Sequence, residues 1–179
     1  MSVSFKADIK QVTKALKGWQ QKAVPQAVVS SLNLAATKVR GDMLKSIQQS
    51  TGAVQKEIKP DTTLTKANKG RTIATLRGKA RAIPLSKLNP RQTRRGVTAG
   101  RGKAKKTYRG AFMADMKHGA GVFIRKTKAR GPVKALYVSS VATEMKKQEA
   151  REMMTRTATE RFKKVFPAQL KFRLSKISR

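Results

Sequence analysis

The chain has no cysteine, one histidine and only nine carboxylates, and aromatic residues make up 5% of its 179 positions. The absence of cysteine excludes a disulfide framework and thiolate zinc sites. A single histidine, His118, has no second imidazole or thiolate to join it in a metal site. No apolar run approaches the roughly eighteen residues a membrane helix needs. Residues Met1 to Lys10 mix charges early and lack the apolar stretch of a secretion signal. A soluble protein without a leader is therefore expected, with room for one domain or two small ones.

What the chain has in excess is positive charge. Forty-two Lys and Arg against nine Asp and Glu give a formal net charge of +33. Such self-repulsion is relieved by an anionic partner. The charge is also uneven. No acid lies between Thr62 and Ala114, and that stretch holds fifteen Lys and Arg. No aromatic occurs from Gln20 to Thr107. Gly70, Gly78, Pro84, Pro90, Gly96, Gly100, Gly102 and Gly110 punctuate the same region and favour turns and short strands over a long helix. The middle reads as a basic, poorly cored segment between two packed ends.

Apolar periodicity locates those ends. Phe5, Ile9, Val12, Leu16 and Trp19 follow helical spacing and predict a helix over about 5–20. Val24-Pro25 should break or restart the chain, with Pro25 suited to a first helical turn. Val28, Leu32, Ala36, Val39, Met43 and Ile47 predict a second helix over about 25–49, stopped at Gly52. The small residues Ala27, Ser31, Ala35 and Ala36 would let another element approach closely. Ala53 to Ile58 suits a short third helix before Pro60. Arg71 to Leu85 reads as one or two short strands, and Arg91 to Arg109 as a basic hairpin or a disordered loop. Ala111–Ala114 and Val122–Ile124 suit antiparallel strands joined by the Gly-rich Lys117 to Gly121. Met145, Met154, Ala158, Phe162 and Val165 predict a C-terminal helix, with acids near its start and Lys163 and Lys164 near its end, as the helix dipole favours. Pro167 should kink it or begin a second segment.

The expected fold class is α+β. Helices at 5–50 and 142–176 flank a small antiparallel sheet at 111–141, and a basic loop or strand region spans 62–110. All are read as one domain, 1–179.

Little here points to catalysis. The acids are scattered, so neither a paired-carboxylate site nor a magnesium cluster is expected. Gly96, Gly100 and Gly102 lack the Gly-Lys-Ser/Thr ending of a phosphate-binding loop. No cofactor is expected. The basic middle leaves three readings open: a surface for nucleic-acid phosphates, a surface for an acidic protein, or a solvated loop. Its candidate contact residues are Arg77, Lys79, Arg81, Arg91, Arg94, Arg95, Arg101, Lys103, Lys105, Lys106 and Arg109. Few aromatics accompany them, which argues against base stacking and for sequence-blind attraction to phosphates.

One stretch carries a resemblance. Gly110-Ala111-Phe112-Met113 is followed by Gly121-Val122-Phe123-Ile124-Arg125. Then come Arg130-Gly131-Pro132-Val133 and Leu136-Tyr137-Val138-Ser139-Ser140-Val141. This order resembles the prophage minor tail protein Z family of long-tailed phages, departing at Val138-Ser139, where the family often has Gly-Pro. The resemblance implies a structural virion protein that completes the head-proximal end of the tail so that head and tail can join. It implies a homo-hexamer, partners among tail-tube, tail-terminator and neck proteins, a location in the virion after assembly in the host cytoplasm, and no membrane. Phe112, Phe123 and Tyr137 become candidate assembly or core residues. Double-stranded DNA stays among the candidate partners of the basic segment. A free, sequence-nonspecific nucleic-acid binder of ribosomal or nucleoid type is the alternative.

Overall fold

The computed structural model describes residues 17, 19–116, 119–127 and 131–176. The helix expected over 5–20 lies almost wholly outside these residues. The fold is α+β: a long helix, then ten short strands in small antiparallel and two-stranded sheets, then a second long helix.

Trp19–Ala23 forms a π-helical turn that runs straight into α1, Val24–Thr51. The chain does not break at Val24-Pro25. In an α-turn the ring of Pro25 would strike the carbonyl four residues back, and the wider π-turn there opens that space. The end of α1 falls where the expected stop lies. Gly52 takes φ +74, a left-handed conformation, and its N–H donates to the Gln48 carbonyl at 2.9 Å. The Thr51 hydroxyl donates to the Ile47 carbonyl at 2.6 Å. A short helix α2, Gln55–Ile58, and a 3-10 turn, Lys59–Asp61, follow.

Two compact units emerge from the packing. The first takes the described residues within 1–38, 65–75 and 156–179. Its described buried positions, Ala23, Ala27, Ser31, Ala35 and Ala67, are all small. Asn33 holds the 65–75 segment by a two-way clasp: its amide donates to the Ala67 carbonyl at 3.0 Å and its carbonyl accepts from the Ala67 N–H at 2.7 Å. The Arg173 guanidinium donates to Gln26 at 3.3 Å and to Ser30 at 3.2 Å.

The second unit, 39–64 and 76–155, holds the main core. Strands β1 (Thr62–Thr65) and β2 (Thr75–Gly78) pair. Strand β3 (Ala82–Pro84) pairs antiparallel with β10 (Tyr137–Ser140). Strands β4 (Arg91–Thr93), β5 (Gly96–Ala99) and β6 (Lys106–Arg109) make an antiparallel sheet in that order. So do β7 (Ala111–Met116), β8 (Gly119–Arg125) and β9 (Val133–Ala135). The connection within the β7–β8 hairpin is shorter than the Gly-rich run suggested, because Gly119 to Gly121 belong to β8.

The basic middle is not poorly cored. Ile83, Leu85, Leu88, Val97 and Ala99 are buried together with Met43, Leu44 and Ile47 of α1 and with Ala111, Val122 and Val141. Among the described residues these aliphatic side chains build a core that holds no fully buried ring. Phe112 and Phe123 sit opposite each other on β7 and β8, half-buried, with ring centroids 6.2 Å apart. Tyr137 is 56% exposed.

The C-terminal helix divides, but not at Pro167. Helix α3, Val141–Lys146, is capped by the Ser140 hydroxyl accepting from the Thr143 N–H at 3.1 Å. Lys147 is extended, and α4 then runs unbroken over Gln148–Ser175 with Pro167 inside it. Pro167 and Lys163 are both exposed, so the Lys163 carbonyl that loses its amide partner faces water. None of the described helices is long and apolar enough to cross a membrane.

Glu144 of α3 is a buried carboxylate, 4% exposed. Its Oε2 accepts from Ser50 at 2.8 Å and from the Lys147 ammonium at 2.7 Å. Burial alone pushes its carboxyl up, but hydrogen bonds from Lys147, Ser50 and Ser139, with the Lys147 charge, outweigh this and hold it below the ordinary value. A lowered folded pKa contributes stability above the unfolded carboxylate range, and that stability is lost as pH falls through the folded value. Thermal melts across acid pH should therefore show a declining limb in the native chain. Glu144→Gln should flatten that limb and cost about 1–3 kcal/mol at neutral pH. An identical acid limb in the variant would assign the decline to other groups.

Candidate functional site

The three-stranded sheet β4–β5–β6 gathers most of the candidate cations. Gln92, Val97 and Tyr108 stand in one cross-strand row, and Val97 is fully buried. Val97 and the half-buried Tyr108 set that face against the core, with Gln92 exposed beside them, and the side chains of the alternate rows point to the other face. Those rows are Arg91–Thr98–Thr107 and Thr93–Gly96–Arg109. The hydroxyls of Thr98 and Thr107 lie 2.8 Å apart across the strands. The outward face thus carries guanidinium, hydroxyl and glycine, and no ring.

Both ends of the sheet add charge. Arg94 and Arg95 form the two-residue tip between β4 and β5. Neither adopts positive φ; Gly96 does, at φ +137. A side chain at Gly96 would meet the Tyr108 carbonyl oxygen at 2.1 Å, so this turn depends on glycine there. At the other end a 3-10 turn, Gly102–Ala104, joins β5 to β6 and carries Arg101, Lys103 and Lys105 along its course. Lys106 lies 5.8 Å from the centroid of the half-buried Tyr108 ring, and burial raises the Tyr108 phenol above its usual value, keeping it neutral.

Eight candidates therefore share one small sheet and its connections: Arg91, Arg94, Arg95, Arg101, Lys103, Lys105, Lys106 and Arg109. All are exposed. Among the described residues, none of the eight pairs with a carboxylate. The other three sit apart. Arg77 lies on β2 and is exposed. Lys79 and Arg81 line a separate cleft with Glu57 and Asp61, where Lys79 approaches Asp61 at 3.7 Å and Lys87 meets Glu57 at 2.6 Å. Glu57 and Asp61, which precede the acid-free stretch, fold back on its early cations and leave the later ones uncompensated.

Three residues outside the candidate contact residues belong with this sheet. Lys45, Gln48 and Gln49 of α1 line a cleft of about 620 Å³ with Arg101, Gly102 and Lys103. Their spacing of three and four residues on the polar side of α1 is the one sequence signal that would have singled them out.

The Gln92 side chain joins two sheets. Its Oε1 accepts from the Met113 N–H at 2.9 Å, and its Nε2 reaches the carbonyls of Gly96 at 3.3 Å and Ala111 at 3.5 Å. It occupies the β7 edge as a neighbouring strand would.

No curated protein and no solved structure matches this chain. A family model does, over residues 8–179. With nearly its whole length matched, the chain belongs to the family described as prophage minor tail protein Z (GPZ), a structural protein of the phage tail.

Proposed function

We propose that this tail protein acts at the head-proximal end of the tail, completes it and supports its joining to the head. The protein is non-enzymatic in this role. Its neighbours are tail-tube, tail-terminator or neck proteins, it works as a homo-hexamer in the neck region of the virion, and it is assembled in the host cytoplasm. The basic sheet makes the anionic contact, to DNA or to acidic neck proteins.

The observation that carries this reading is the set of eight exposed cations on one packed sheet, without carboxylate partners among the described residues. A folded sheet holds these charges at set spacings, which a solvated loop would not. The long helices suit a part that packs between other subunits.

The test is genetic. Particles made without this protein should accumulate filled heads and separate tails in electron micrographs, and supplying the chain in trans should restore joined, infectious virions. Normal joining and infectivity in its absence would sink the proposal.

A further inference from the structure

The cleft between the end of α1 and the β5–β6 connection is built from main chain as well as side chains. Gly52, at φ +74, lets the helix end lie directly on the connection. A side chain there would meet the Arg101 nitrogen and the Gly100 Cα, each at 2.8 Å. Gly100, at φ +95, turns tightly, and a side chain there would meet the Ala104 carbonyl oxygen at 2.6 Å. Two close backbone approaches thus hold Lys45, Gln48 and Gln49 on one wall and Arg101, Gly102 and Lys103 on the other.

The lining is of one chemical kind. Lys45, Arg101 and Lys103 are cationic, Gln48 and Gln49 are amides, and among the described residues neither a carboxylate nor an apolar side chain takes part. We propose that this cleft seats the phosphodiester backbone of double-stranded DNA. The inference deepens the anionic contact proposed above and rests on that reading.

Two arguments select DNA over an acidic protein and duplex over single strand. Protein interfaces are anchored by aromatic and apolar side chains at their centres, where lysine is depleted. Neither the cleft nor the outward rows of the adjoining sheet offer such an anchor. Phosphate contacts instead come from Arg, Lys, Gln, Thr and backbone N–H groups, which is the inventory present. Single strands are gripped by stacking bases on rings, and the ring of the adjoining sheet, Tyr108, is half-buried beside Lys106.

The experiment uses the full chain and a short mixed-sequence DNA duplex, with binding followed by fluorescence anisotropy between about 50 and 200 mM salt. The triple variant Lys45→Gln, Arg101→Gln, Lys103→Gln should lower the slope of log affinity against log salt by about 2–3. A control removing equal charge from α4, Lys163→Gln, Lys164→Gln, Lys171→Gln, should lower it by less than about 1. The neutral pair Gln48→Ala, Gln49→Ala should weaken binding about five-fold without changing the slope. Equal slopes in the two triple variants, or unchanged affinity in the neutral pair, overturns the seat. So does a cleft variant that loses binding to poly-glutamate yet keeps duplex binding, which would assign the cleft to an acidic protein. Failure here is distinct from failure of the neck role, which is read from joined particles.

Discussion

Replacing Val97 with Asp should abolish the cooperative melt of the sheet-bearing unit, at a cost of about 4 kcal/mol or more. Val97 is fully buried in a cluster with Leu85, Leu88, Ala99, Ala111 and Val122. The substitution forfeits about 1.5–2 kcal/mol of apolar burial and places a carboxylate where no partner reaches it. Domains have about 5–15 kcal/mol in all, so one such change removes much of the margin. Circular dichroism melts would check it. Arg91→Ala, on the outward row beside it, should stay within about 0.5 kcal/mol of the native chain. If Val97→Asp melted like the native chain, the basic sheet would not be part of the core.

The second large effect concerns binding rather than folding. The variant with Arg91, Arg94, Arg95, Lys103, Lys105 and Lys106 all changed to Gln should keep its fold, since every one of these side chains is exposed. The one ring contact among them, Lys106 over Tyr108, is worth about 0.5–1 kcal/mol at an exposed site. Relief of self-repulsion works in the opposite direction. Its affinity for polyanions should collapse: removing six phosphate contacts lowers the salt slope by about 5, which is on the order of a thousand-fold at moderate salt. The measurement is a salt titration of duplex binding beside a melting curve. A melting temperature several degrees lower would mean that these cations also support the fold, and unchanged affinity would place the anionic contact elsewhere.

Helix α1 and the β7–β8 hairpin were more legible than the basic middle, for physical reasons. Helix α1 announces itself through six turns of apolar spacing and a glycine stop, and the β7–β8 hairpin through two short apolar runs. In the middle, Leu85, Leu88, Val97 and Ala99 are isolated among lysines and arginines. Strands of three or four residues are too short to display a period. Their burial is set by long-range pairing, which no local pattern reports. The break at Lys147 carries neither glycine nor proline and accompanies a side chain that turns back to Glu144. Pro167, which has the stronger local signal, is tolerated because the orphaned carbonyl faces water. The basic sheet was legible as charge, yet its division was not. Lys79 and Lys87 find Asp61 and Glu57 only after folding, and Lys45 comes to line one cleft with Arg101 only where the Gly52 turn brings the helix end onto the β5–β6 connection.

The side chain of Gln92 has a further consequence. An open strand edge is a template on which another strand can pair. By occupying the Ala111 and Met113 positions of β7, Gln92 acts as a stopper against strand-by-strand growth. A chain guarded in this way can be concentrated without its β7 edge pairing with another chain at these two positions.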